Sequence, residues 1–184
     1  MVFRTEERVK IMSEHIRTII TIARQYGSGG REIGEMLAKK LDVPYYDKEL
    51  IALAAKESGF SEEMFRRADE RAASSLLYSL VMGNYGFGSG FSTMNEMPIN
   101  DKLFLIQADI IRKAAERGSC VIVGRCADYV LRERKDCLHV FIHANRESRL
   151  RRAVEKYGVE PDKVSDFLTK KDKQRANYYN FYTN

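Results

Sequence analysis

A short β-branched run, Ile19-Ile20-Thr21-Ile22-Ala23, passes through Arg24-Gln25-Tyr26 into Gly27-Ser28-Gly29-Gly30 and straight on into Arg31-Glu32-Ile33-Gly34. A strand that turns through glycines into a helix has few uses. Glycines let consecutive backbone N–H groups face inward, and a helix start adds the positive end of its dipole. The segment reads as an anion cradle built from Arg24, Gly27, Ser28, Gly29, Gly30, Arg31 and Glu32, the alternative being a tight structural turn. Laid on the phosphate-loop spacing G-x-x-x-x-G-K-[ST], Gly30 falls at the lysine position and Arg31 follows it. Arg31 in a first helical turn is unfavourable beside the dipole, which an anion would offset. Arg31 or Arg24 then has to supply the missing cation, as a planar fork rather than a point charge.

The remaining chain narrows the class. Its 184 residues suit a single domain, 1–184, with a polar arm at 1–16 and room for a real core. No apolar stretch approaches a membrane span, and residues 1–15 carry no secretory pattern. Cys120, Cys126 and Cys137 are an odd set without C-x-x-C spacing, which points to a reducing, cytoplasmic setting. A net charge of +5 and a pI near 9.1 favour anionic partners. No interleaved aromatic and basic pattern marks nucleic-acid binding, so neither nucleic acid nor membrane is expected as a partner.

Strands are expected at 19–23, 120–123 and 138–142, with a short extended piece at 45–47. Helices are expected from Gly30 to about Leu41, at 48–57, from Ser61 to about Leu80, from an Asp101 cap to Gly118, at 146–157, and beyond Pro161. On the first of these, Ile33, Met36, Leu37 and Leu41 form an apolar stripe expected to face the core. The stretch 83–98, with four glycines, reads as a long mobile loop. Strands alternating with helices imply an α/β fold: a parallel sheet flanked by helices in three layers. Ligands on such sheets bind beyond the carboxyl ends of the strands, where the glycine loop, Asp47 and Gly124-Arg125 fall. Asp47 is open between ligand contact and helix cap, and Arg125 between function and a surface ion pair.

The order of these pieces resembles the cytidylate-kinase-like proteins, a branch of the P-loop nucleoside monophosphate kinases. The residues that carry the resemblance are Ile20 to Gly34, Tyr45-Tyr46-Asp47, Val121-Ile122-Val123-Gly124-Arg125-Cys126-Ala127-Asp128, Leu138 to Ile142 with Arg149-Leu150-Arg151-Arg152, and Lys171 to Tyr179. The resemblance implies a P-loop NTPase fold with a helical basic lid at 146–184, and a glycine loop that holds donor phosphates. It places Asp47 beside the acceptor monophosphate and brings Arg125 onto the acceptor. Arg151, Arg152, Lys171 and Arg175 would close over the transferred phosphoryl group. The expected catalytic set is Arg31, Arg125, Arg151 and Arg175. Transfer from ATP with Mg²⁺ to a nucleoside monophosphate such as CMP follows, and a homodimer is admitted. The strand ending at Val123 carries no acidic residue, so the metal ligands stay unassigned. Family members continue past the lid into another strand, expected to be absent from a chain ending at Asn184. The rival reading is a non-catalytic nucleotide sensor or interaction protein, or a kinase for another small molecule.

Overall fold

A computed structural model describes residues 17–47 and 99–183. Within them, β1 (Ile19–Arg24), β2 (Tyr45–Tyr46), β3 (Cys120–Val123) and β4 (Cys137–Ile142) form a sheet in the order β2-β3-β1-β4. All its pairings are parallel, and Ile19 stands between Cys120 on one side and Cys137 on the other. Parallel neighbours need crossover connections, which is why a chain of this pattern places helices on both faces.

Strand alternation divides the core. On one face Ile19, Cys120 and Ile122 pack against Leu103, Ile110, Ile111 and Ala115 of α2 (Ile99–Arg117) and against Ala127 at the start of α3 (Ala127–Val130). On the other, Ile20, Ile22, Val121 and Val123 meet Ala38 of α1 (Gly30–Leu41). The cysteine and branched residues of β3 are buried on both faces, as a central parallel strand requires. Two further helices, α4 (Arg146–Tyr157) and α5 (Val164–Thr183), pack on each other through Ala153, Val164 and Leu168. Asn145 caps α4 by accepting a hydrogen bond from the Ser148 amide at 2.8 Å, and Gly158 ends it at φ +67°.

Two expectations are corrected. The face that α1 buries is Gly30, Gly34 and Ala38, not the apolar stripe: Ile33, Met36 and Leu41 are exposed, and Leu37 alone of the four packs at the edge of that core. The helix lies so close to the sheet that a Cβ on Gly34 would stand 2.8 Å from Val123 Cγ2, so small residues make the contact. Asp101 does not cap α2; the helix begins at Ile99 and Asp101 lies buried in its first turn. The expected arm at 1–16, the helices at 48–57 and 61–80, and the loop at 83–98 lie outside the described residues.

Candidate functional site

The glycine loop leaves the carboxyl end of β1 and is folded back on itself. Gly27 at φ +76° and Gly29 at φ +81° take the left-handed backbone that only glycine enters freely. The Ser28 hydroxyl donates to the Gln25 carbonyl at 2.9 Å and closes the turn. Gly29 precedes α1 with no side-chain cap on the helix, so the first-turn N–H groups carry the dipole's positive end without an internal partner.

Side chains from α4 and α5 grip this loop. Arg149, only 5 % exposed, donates from Nε to the Tyr26 carbonyl at 2.8 Å and from its terminal nitrogen to Asp172. Asp172 in turn accepts from the Tyr26 amide at 3.0 Å, so one ion pair satisfies both backbone groups of Tyr26. A Cβ at position 27 would stand 2.8 Å from the Arg149 carbonyl oxygen, which is why the residue after Tyr26 has none. Arg152 pairs with Glu32, and its guanidinium lies 3.3 Å from where a Cβ of Gly29 would be. Glu32 also accepts from the Tyr157 hydroxyl at 3.3 Å. Between loop and α4 opens a cleft of about 230 Å³, lined among others by Gly27, Ser28, Ser148, Arg151 and Lys156.

A second cluster sits at the strand tips. Asp47, nearly buried after β2, pairs with Arg31 at 2.9 Å and with Arg24 at 3.7 Å. Arg31 is thus turned toward Asp47, and its backbone carbonyl accepts from the Tyr45 hydroxyl at 3.3 Å. Arg175 of α5 donates to the Arg24 carbonyl at 3.1 Å and covers the Tyr26 ring at 5.4 Å. Burial, then the neighbouring charges of Arg175 and Arg125 against the counter-pull of Asp47, bring Arg24 down to about 10. Burial likewise lowers Arg175. Beyond β3, Gly124, Arg125 and Cys126 run through three successive left-handed conformations at φ +81°, +60° and +52°. The last two are residues that avoid that region unless the fold holds them there.

The structure therefore brings Arg24, Arg31, Asp47, Arg125 and Arg175 into one electrostatic cluster, with Glu32, Arg151 and Arg152 on the other side of the loop. Lys171 lies instead over the Phe167 ring at 5.5 Å. In the sequence Arg149 stands only as one of a run with Arg151 and Arg152, and nothing marks Asp172 as its partner; a pair 23 residues apart on two helices leaves no local signal.

Among the described residues no three His, Cys, Asp or Glu side chains converge as metal ligands. Magnesium keeps several waters and binds through phosphate oxygens plus one or two carboxylates. The carboxylates beside the loop, Glu32 and Asp47, are each held by arginine. Among the described residues the carboxylates beside the loop are thus engaged by arginine and do not by themselves make up a resident ion's donor set.

Among curated proteins none matches this sequence. A solved structure described as an uncharacterized protein from Eubacterium ventriosum ATCC 27560 is 27% identical, with a TM-score of 0.61 over 90% of this chain and 78% of that one. The model of the cytidylate kinase-like family matches residues 19–184. A match over that much of the chain shows that it belongs to the cytidylate kinase-like family.

Proposed function

We propose that this protein is a phosphotransferase that moves the γ-phosphoryl group of ATP, brought with Mg²⁺, to a nucleoside monophosphate such as CMP in the cytoplasm. One observation carries the reading: Arg24 and Arg31 both pair with Asp47 beside an uncapped helix start, and the charges of Arg175 and Arg125 bear on Arg24 there. Phosphoryl transfer asks a protein mainly to position two substrates and to stabilise spread negative charge, and this arrangement suits both tasks. The loop amides and α1 dipole take the donor phosphates. Asp47 and Arg31 lie where an acceptor monophosphate would be oriented, and Arg125 reaches it from the tip of β3. Arg175 from α5, with Arg151 and Arg152 from α4, closes over the phosphates and excludes water.

The test is an ADP-release assay with Mg²⁺, ATP and a panel of nucleoside monophosphates, run beside thermal shifts in the same ligands. ADP release that needs both ATP and one acceptor is expected. A nucleotide-dependent rise in Tm with no ADP release toward any acceptor would assign the site to sensing instead.

A further inference from the structure

On the phosphate-loop spacing that puts Gly30 at the lysine, Arg24 falls at the position of the first glycine. Two of the three departures from the signature, the third being Arg31 at the Ser/Thr position, are thus one: a cation and a glycine stand in each other's places. The geometry explains how. A Cβ added at Gly30 would meet Arg24 Cβ at 2.7 Å and Cγ at 3.2 Å, so the Arg24 stem fills the start of the path a lysine at position 30 would take. The side chain then runs to the tip of β3, where a Cβ on Gly124 would collide with an Arg24 terminal nitrogen. Gly124 is therefore glycine for two reasons, its φ of +81° and the guanidinium lying across it.

We infer that Arg24 and Gly30 have exchanged roles, so that Arg24, threaded past Gly30 to the strand tips, is the cation that contacts the donor triphosphate. The inference rests on the phosphotransferase reading and names the residue that replaces the loop lysine. Arg31 is the poorer candidate, because its Nε is committed to Asp47 at 2.9 Å while Arg24 holds Asp47 only at 3.7 Å. Arg24 also faces two further guanidinium groups, Arg175 and Arg125, so its surroundings carry more positive than negative charge and favour an anion. Its side chain is 21% exposed, so the strand-tip site is not sealed from a ligand.

The exchange is tested by reversing it. Dissociation constants for ATP and for inorganic triphosphate are measured by titration calorimetry on the full chain, the R24G and G30K variants, and the double variant R24G/G30K, with circular dichroism as the folding control. Loss of a charged partner should weaken both ligands about 10²-fold in R24G. G30K alone should bind no better than wild type, since lysine and Arg24 compete for one path. The double variant should return to within about 10-fold of wild type, a coupling that a structural role for Arg24 does not produce. Wild-type binding with R24G unchanged overturns the assignment of Arg24 and leaves the phosphotransferase reading intact. A folded double variant as weak as R24G overturns the exchange. A wild type that binds neither ligand removes both readings. Where R24G does not fold, R24K decides, because it sends a cation along the same path: affinity within about 10-fold of wild type supports the inference and a loss beyond about 10²-fold overturns it.

Discussion

Replacing Arg149 by alanine cuts the bracket that holds the glycine loop from both sides. The guanidinium is almost wholly buried, and it serves the Tyr26 carbonyl and the Asp172 carboxylate together. Removing one member of a buried ion pair costs about 3–5 kcal/mol, because the other charge stays behind without its partner. Asp172 is 31% exposed and keeps the Tyr26 amide as a donor, so water recovers part of that loss. We expect about 3 kcal/mol for R149A, at the low end of that range. For a chain of this size the change is a fall in Tm of about 6–12 °C. R149K keeps the charge but not the fork that reaches two acceptors, and should lose about half as much. Urea unfolding of R149A, D172A and the double variant gives the coupling, expected at about 1–2 kcal/mol. An R149A cost below about 0.5 kcal/mol, the level of an ordinary surface change, would refute the bracket. So would strict additivity of the two single variants.

Two further outcomes follow from packing and burial. Gly34→Val should destabilise the protein by more than about 2 kcal/mol, since even a Cβ there would crowd Val123 at 2.8 Å, and β-branching adds two more carbons; thermal unfolding reads it, and a neutral result would place α1 farther from the sheet. Burial pushes the thiols of Cys120 and Cys137 up to about 11, so at pH 8 both should react with a disulfide reagent far more slowly than in denatured protein. The sign is that of an acid whose charged form is disfavoured by folding. The native rate should therefore rise toward pH 11, and fast labelling of either at pH 8 would contradict the burial.

The sequence made the strand–glycine–helix unit legible because each part has its own local chemistry: β-branched residues, left-handed turns, a helix start. The parallel strand at Cys120–Val123 and the helix at Arg146–Tyr157 were legible for the same reason. The buried face of α1 was not. Hydrophobic periodicity finds large apolar residues, whereas this helix approaches its sheet through Gly30, Gly34 and Ala38, which carry almost no hydrophobic signal. In the candidate site, the strand order read from the sequence already gathers the glycine loop, Asp47 and Arg125 beyond the carboxyl ends of the strands. How Arg175 joins them, and the burial of Arg149 against Asp172, depend on how helices far apart in the chain dock on the loop.

That docking has a mechanical side. The 20-residue α5 touches the loop region through Asp172 and Arg175, and one to two turns later Tyr178 and Tyr182 enter an aromatic cluster with Phe104 of α2. The Tyr182 and Phe104 rings stack at 3.9 Å with their planes 7° apart. A rod pinned at two points cannot pivot about either one alone. Lifting Arg175 from the loop by swinging α5 would also have to part those rings, at a cost of about 0.5–1.5 kcal/mol beyond the buried area. Traffic through the cleft is accordingly cheaper by swivelling individual arginines, Arg152 off Glu32 first among them, than by moving the helix that carries Arg175.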